Sequence, residues 1–584
     1  MHQTFTVLTL AALLGGDGVN ALPNGVGSEH HQNKRAATQT LQVPGTKPTG
    51  AVSVPADFLG LNIESAFLNN YNNPFSNNLV SSLASRMAAP PVVRVGGTSG
   101  DEFVFDPAQP EDQVKICVRG ECPNGSAASY KIGPKFFEGY KGFKDARITI
   151  QAPQGPRVNR TLVREFVRRA WDARAAAGLD PRTNVEAIAL GNEPEFYDRD
   201  VEKYVKDALE LEDIVIKELK LEGDERKIFE AVNSAKQNIY DTIDALKAGI
   251  NKNKLTKWTA EHEYQIFDPQ PWNDATMQKL MLSHKAITEK FDTNYLRSLR
   301  ASRAQGIPYA ISETAAVLAS PNNHFVSGFG FALWVVDYSL ALAARGVGRV
   351  NHMAGRPVAN HVLWVPDGSG EPHNPGPQAR APFAAAIFVA DFLRPATKGG
   401  RGAGAASSSS DGGRSNATRD GEMFGDAFSA AAASTATVAV HEIDLNRVQH
   451  PYLSAYAVYG ANNKLQRVAL VNMRLYNGTA AEDNGGQKRT SEVFRLPVGD
   501  SDVKEVKVRR LHADLGAAAL GFDYGGPQHN VTWAGEQWSK KVDDGQGHFP
   551  LGSAKDGAVV QMVKVEGGVA AVEVPDSEAV IVSI

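Results

Sequence analysis

The stretch Val185-Glu186-Ala187-Ile188-Ala189-Leu190-Gly191-Asn192-Glu193-Pro194 decides how this chain folds. Six residues of apolar, strand-like character end abruptly on Gly-Asn-Glu-Pro, which places a carboxylate at the C-terminal tip of a strand. Parallel α/β barrels keep their reactive groups at that end. A second stretch repeats the arrangement: Ile307-Pro308-Tyr309-Ala310-Ile311-Ser312-Glu313-Thr314 is again an apolar strand pattern ending on glutamate.

Outward from these two strands, strand-like and helix-like patterns alternate from residue 57 to about 393, the signature of a parallel α/β architecture. Eight strands are expected: Phe58–Ile63, Pro91–Val95, Ala146–Gln151, Glu186–Leu190, Ile228–Val232, Lys257–Glu261, Tyr309–Ser312 and Arg349–His352. Eight is the count of a (β/α)8 TIM barrel. Between them, Leu162, Val163, Phe166, Val167, Ala170 and Trp171 recur at helical spacing, with Gly178 able to cap the helix end. Asp198–Leu221, Ser234–Ile250 and Phe291–Ala304 follow the same rhythm.

Beyond residue 393 the character changes. Residues 394–425 hold a Gly- and Ser-rich loop, and from 426 to 584 short alternating segments are separated by Gly, Asn and Pro turns. Those segments, Ala436–Val440, Ser454–Tyr459, Arg467–Val471, Val503–Arg509, Val559–Val565 and Ala579–Val582, predict a C-terminal antiparallel β-sandwich domain. Residues 38–56 have the same look and are expected to lend strands to that sandwich, leaving 57–393 as the barrel.

The N-terminus reads as a signal peptide over residues 1–21, with an apolar core from Phe5 to Leu14 and small residues at Val19-Asn20-Ala21. A polar segment over residues 22–37, with the dibasic pair Lys34-Arg35, reads as a candidate pro-region. Secretion to the extracellular space is therefore expected. Sequons at Asn124, Asn159, Asn416, Asn477 and Asn530 agree with export. Cys117 and Cys122, five positions apart, are expected to form a loop-stapling disulfide, since two thiols alone make a poor zinc site.

With 22% charged residues, a net charge of −4 and no long Lys/Arg run, nothing points to nucleic acid as a partner. The most apolar stretch, Phe329 to Ala344, is short and contains Asp337, which argues against a membrane span. Nothing in the sequence speaks to oligomeric state.

Two strand-end glutamates suit the cleavage of a glycosidic bond. Its oxocarbenium-like transition state needs an acid at the leaving oxygen and a carboxylate below the anomeric carbon. Glu193 suits the acid/base role and Glu313 the nucleophile. Asn192 is placed to hydrogen-bond a sugar 2-hydroxyl, and Tyr264, in His262-Glu263-Tyr264 at the end of strand six, to donate to the nucleophile. Arg94 and Asp101, in Arg94-Val95-Gly96-Gly97-Thr98-Ser99-Gly100-Asp101, either recognise substrate or tie strand ends together. His262, and His352 after strand eight, complete the expected substrate-binding set. Glu195, past the proline, reads as a loop residue facing solvent or substrate. Trp272, Trp334 and Trp364 are candidate sugar-stacking rings, with Trp334 read as helix packing against the barrel. No second histidine stands four residues after His262, so a metal centre is not expected.

Together, Arg94 to Asp101, Leu190 to Glu195, His262 to Tyr264 and Ser312 to Thr314 resemble the clan A glycoside hydrolases. More narrowly, the chain resembles glycoside hydrolase family 79, the β-glucuronidase and heparanase family, in its fungal secreted branch. Tyr452 to Tyr459 followed by Leu465 to Asn472 is similar to that family's C-terminal β domain. The resemblance spans roughly residues 38 to 584. It implies a β-glucuronidase-like retaining hydrolase of glycans or glycosides, with Glu193 as acid/base, Glu313 as nucleophile and no cofactor. It also implies that a sugar carboxylate is bound by polar side chains and a Gly-Tyr backbone after strands seven and eight. Those stretches here read Glu313 to Ser320 and Val350 to Gly355, with no tyrosine in either.

Overall fold

A computed structural model describes residues 37–116, 130–155, 159–267, 273–318, 327–355, 361–366, 376–396, 438–479, 488–499, 502–550 and 559–584. Cys117, Cys122, Asn124, Trp272, Asn416, the signal and pro-region segments up to residue 36 and the Gly/Ser-rich stretch from residue 397 lie outside these residues.

Eight parallel strands close into a barrel: β1 Leu59–Glu64, β2 Val92–Gly96, β3 Arg147–Ala152, β4 Val185–Leu190, β5 Phe229–Ser234, β6 Thr256–Phe267, β7 Tyr309–Leu318 and β8 Arg349–Gly355. Nearly every residue in them is buried, because one face meets the barrel interior and the other the helices. Strands β6 and β7 run past the rim as a paired ribbon, with Ile266 opposite Val317 and Phe267 opposite Leu318. Glu313 and Tyr264 therefore lie within strands rather than ending them, and the residues to Leu318 are strand, not loop.

The helix Arg160–Ala176 starts where the Asn159 side chain accepts from the Leu162 N–H, and ends before Gly178 at φ +84°. Its apolar stripe, Val163, Phe166, Val167 and Ala170, is buried. The helix Val201–Leu219 is capped in the same way by Asp200. Two expected helices differ. Ser234 belongs to β5, so the helix in 234–250 shrinks to Thr242–Lys247, capped by Asp241. The expected single helix Phe291–Ala304 is a pair, His284–Asn294 and Leu296–Ala304, broken at Tyr295.

Helices Phe329–Arg345 and Ala381–Leu393 are apolar all round because both sides are covered. They lie in one continuous core with the barrel and with Val440, Tyr456, Val458 and Ile581 of the C-terminal sheet. Phe329 to Ala344 is thus an internal helix, and no helix among the described residues is long and apolar enough to cross a membrane.

The C-terminal strands pair in the order Ala37–Thr40, Ser491–Pro497, Val569–Pro575, Gln561–Glu566, Glu505–His512, Glu578–Ser583, Leu465–Asn472, Leu453–Tyr459, Val438–Glu442 and Val52–Val54. Every neighbour is antiparallel except Ala37–Thr40, which runs parallel to Ser491–Pro497. Phe494, Leu496, Val572 and Val574 share a core with Ala455, Ala457, Val468 and Leu470, so the sheet folds over into two layers. The N-terminal strands before β1 thus seal both ends of this sheet.

Candidate active site

The barrel interior is stacked with charge. At the floor Arg349 meets Asp57 at 2.5 Å and Glu186 at 3.1 Å, while Arg147 bridges the same two carboxylates. Lys257 approaches Glu186 at 3.2 Å, and Trp258 Nε1 donates to it at 2.8 Å. Burial alone would raise the Glu186 pKa, but Arg349, Lys257 and Arg147 outweigh it and hold the carboxyl down to about 2. Midway up, Arg94 Nε lies 3.6 Å from Glu230, which β5 buries completely.

At the mouth, Glu313 projects from β7 and its two oxygens accept three hydrogen bonds. Tyr264 OH donates to Oε1 at 2.6 Å; Asn62 Nδ2 and Arg94 Nη1 donate to Oε2 at 3.2 and 3.3 Å. Arg94 is fully buried and also donates from Nη1 to Asn62 Oδ1 and from Nη2 to Asn192 Oδ1. Of the two readings open for Arg94, the geometry selects the tie between strand ends. It organises Glu313, Asn62 and Asn192 from beneath.

Across the mouth Glu193 stands at the tip of β4 with φ +45° and ψ +53°, a left-handed conformation unusual for a residue with a Cβ. Its N–H donates to Asn233 O at 2.9 Å. Its Oε1 lies 2.9 Å from Nδ1 of His262, whose side chain is fully buried. Burial pushes the His262 pKa down to about 3, against the opposing pull of Glu313. A neutral imidazole can donate through Nδ1 to an ionised Glu193, or accept there from a protonated one. His262 therefore faces the carboxyl of Glu193 and not the open mouth.

The nearest ligand atoms of Glu193, His262 and Glu313 all lie within 4.8 Å of one another. Such a cluster is close enough to surround a cation. Glu313, however, is already engaged by a guanidinium, an amide and a phenol, which suits acid–base and nucleophilic work better than metal binding.

Asp101 does not face the site. One oxygen accepts from Gln151 Nε2 and Gln154 N, the other from Asn192 N and Tyr197 OH. Burial pushes its pKa up to about 6 against those four donors. It pins the backbone of Asn192 and leaves no oxygen for a sugar. His352 is likewise turned away. Alternate β8 residues Arg349, Asn351 and Met353 point inward, so His352 points out, with Nε2 2.8 Å from Ser339 Oγ and its ring against Trp334 and Tyr338. Burial lowers its pKa to about 3. Glu195, expected on a loop facing solvent or substrate, is completely buried and accepts from Ala235 N and Lys236 N.

Trp334 packs between helix and barrel, and Trp364 is core, with Nε1 donating to Ser76. Among the sequons, Asn159 is exposed at its helix cap, Asn530 is half-buried, and Asn477 donates from Nδ2 to Asp274. Asn62 escaped the sequence reading, although it is the one amide in the otherwise apolar Leu59-Gly60-Leu61-Asn62-Ile63.

Residues 455–581 match the glycosyl hydrolase family 79 C-terminal beta domain. The chain is 26% identical over 521 residues to a β-glucuronidase of Neurospora crassa, covering 82% of each chain. It is 24% identical to a β-glucuronidase of Aspergillus niger over the full length of both. In fold it is similar to a 4-O-α-L-rhamnosyl-β-D-glucuronidase of Fusarium oxysporum, with a TM-score of 0.68, 18% identity and coverage of 94% and 100% of the two chains. The chain is a glycoside hydrolase that carries a family 79 C-terminal β domain on a (β/α)8 barrel.

Proposed function

We propose that the chain is a secreted β-glucuronidase that hydrolyses glycans or glycosides with retention of anomeric configuration, using Glu193 as acid/base and Glu313 as nucleophile. The observation that carries this reading is the approach of the two carboxyl groups, an oxygen of one within 4.8 Å of an oxygen of the other. Retaining enzymes hold their carboxyl groups roughly 5 Å apart, whereas inverting enzymes leave about 6.5–9.5 Å for a water between them.

In the first step an oxygen of Glu313 forms a bond to the anomeric carbon as the glycosidic C–O bond breaks. The leaving oxygen takes the proton of Glu193. In the second step water attacks the same carbon, gives its proton to Glu193 and releases Glu313 as carboxylate. Arg94, Asn62 and Tyr264 hold the nucleophile in line, and neutral His262 can partner Glu193 in both protonation states. Because Arg94 engages Asn192 Oδ1, the amide nitrogen of Asn192 is left to meet the sugar's 2-hydroxyl. Support for the glucuronide comes from the two fungal relatives, both β-glucuronidases.

An aryl-glycoside panel (β-glucuronide, 4-O-methyl-β-glucuronide, β-glucoside, β-galactoside and β-xyloside) tests the reading, with NMR of the first-formed sugar. Selective release from the glucuronides with β-configured product is expected. An α-configured first product would overturn the mechanism, and preference for an uncharged sugar would overturn the substrate.

A further inference from the structure

The turn that bears the acid/base also carries an aromatic ring left open to solvent. Among the described residues three phenylalanines are exposed: Phe196, Phe267 and Phe549. Phe549 belongs to the C-terminal domain. Phe267 ends β6 on the parity opposite to Tyr264, and the Lys290 ammonium of the helix His284–Asn294 sits over its ring at 5.3 Å, so it faces the outer helices. Phe196 stands on the catalytic rim, 46% exposed in the short turn Pro194–Phe196. Single exposed apolar side chains are ordinary. The place of this one on the acid's own turn, and the cation held over it, set it apart.

The contacts of the turn fix which way it presents the ring. Phe196 N–H donates to Glu193 O at 3.1 Å, and Glu193 N–H donates to Asn233 O near the end of β5. The Glu193 carboxyl reaches past β5 to His262 of β6 at 2.9 Å. Tyr197 turns the opposite way, its OH donating to Asp101 at 3.1 Å on the side of β2 and β3. Glu195 goes down into the core, where it accepts from Lys236 N at 2.7 Å. The Lys236 ammonium then lies over the Phe196 ring at 4.7 Å. Phe196 therefore lies on the β5 side of the turn, the side towards which Glu193 also extends. Lys236 covers one face of the ring and leaves the other face and the edge open. The mouth is also more open here: the Glu193 side chain is 18% exposed and that of Glu313 8%. Since the leaving oxygen takes its proton from Glu193, the group attached to that oxygen extends past Glu193 towards this rim.

We propose that Phe196, braced by Lys236, is the platform of the leaving-group subsite: its open face receives a leaving group that presents an apolar ring face, either the flat ring of an aryl aglycone or the C–H face of a further sugar. This rests on the β-glucuronidase reading and on Glu193 as its acid/base. A contact of this kind is worth up to about a factor of ten in affinity, and only to substrates whose leaving group is large enough to reach the ring.

The test is the ratio of kcat/KM on ring-bearing to ringless glucuronides, for wild type, Phe196→Ala and Phe196→Trp. Methyl β-glucuronide has no ring beyond the leaving oxygen; phenyl β-glucuronide carries an aryl ring there, and a β-glucuronosyl disaccharide a second sugar. In Phe196→Ala the phenyl-to-methyl ratio, the disaccharide-to-methyl ratio or both should fall roughly three- to tenfold, mainly through KM, and in Phe196→Trp the ratio should hold. The ratio that falls identifies the leaving group. Displacement of Glu193 cannot imitate the result: weaker acid help hurts methanol, the poorer leaving group, more than phenol, and would raise the phenyl-to-methyl ratio. If Phe196→Ala does not fold, Phe196→Leu, which keeps bulk without a flat face, carries the same comparison. Both ratios unchanged overturn the proposal, as does a fall of the same size in Phe196→Trp. A wild-type enzyme that turns over none of the three substrates overturns the β-glucuronidase reading itself, and the subsite with it.

Discussion

At the floor of the barrel, Asp57 and Glu186 meet Arg147, Lys257 and Arg349; above them Arg94 meets Glu230 midway up and Glu313 at the mouth, with Glu193, Glu195 and Asp101 close by. Both ends bury charge in and beside the strands of the same barrel, yet they differ in balance. The floor matches carboxylates with cations and holds Glu186 well below the usual carboxylate range. The mouth has a surplus of carboxyls, and burial pushes Asp101 to about 6 and Glu195 to about 7. Buried charge that is balanced serves the fold. Carboxyls buried with no cation beside them retain protons near neutrality, and proton retention is what an acid catalyst requires.

The contrast can be broken from either end. Its largest expected effect lies at the mouth. Glu193→Ala should lose ~10²–10⁴-fold in kcat/KM on glucuronides with poor leaving groups and far less on activated ones, with the melting temperature nearly unchanged. Steady-state kinetics across a leaving-group series reads this directly.

At the floor the pattern reverses. Glu186→Gln leaves Arg147, Lys257 and Arg349 without their shared partner, so stability should fall by about 3–5 kcal/mol while the activity of the folded enzyme is retained. Denaturant unfolding beside kinetics tests that pairing; lost activity at unchanged stability would count against it. The sign with pH follows from the lowered pKa. The contribution of Glu186 is fully present above its unfolded value of 4.5 and is lost as pH falls through about 2. Asp101 and Glu195 have raised values and work the other way. Their folded forms hold the proton longer, so their share of stability declines as pH rises from the ordinary carboxyl range through about 6 and 7.

The smallest effect is at Tyr264. Tyr264→Phe removes one charge-assisted hydrogen bond of 2.6 Å to Glu313. A loss of about 1.5–3 kcal/mol in transition-state stabilisation is expected, seen as a roughly 10- to 100-fold lower kcat at similar KM.

Much of this was legible in the sequence, for identifiable reasons. An apolar run that stops on Gly-Asn-Glu-Pro marks the tip of β4, so the eight strands and the place of Glu193 could be read directly, whereas Glu313 sits inside β7, which runs on to Leu318. Side-chain parity could have been read and was not. Counting from Arg349, which faces the interior, puts His352 on the outer face against Ser339 and Trp334. Other features depend on contacts distant in the chain. Asn62 meets Glu313 across 251 positions, and Glu195 is buried only because the backbone at Ala235 and Lys236 closes over it. The reach of β6 and β7 past the rim comes from their pairing with each other, which composition does not encode. Ser491–Pro497 and Val569–Pro575 went unread because polar and charged residues on their outer faces dilute the apolar signal.

The central claim is that Glu313 becomes covalently bonded to the sugar while Glu193 moves the proton. A 2-deoxy-2-fluoro-β-glucuronosyl fluoride tests it most directly, since the fluorine at C2 slows both steps and the fluoride leaving group lets the first outrun the second. Peptide mass mapping of the treated enzyme should find one added fluoroglucuronosyl group, on the peptide and the residue of Glu313. A label on Glu193 or Glu195, or inactivation with no label on Glu313, would contradict the account.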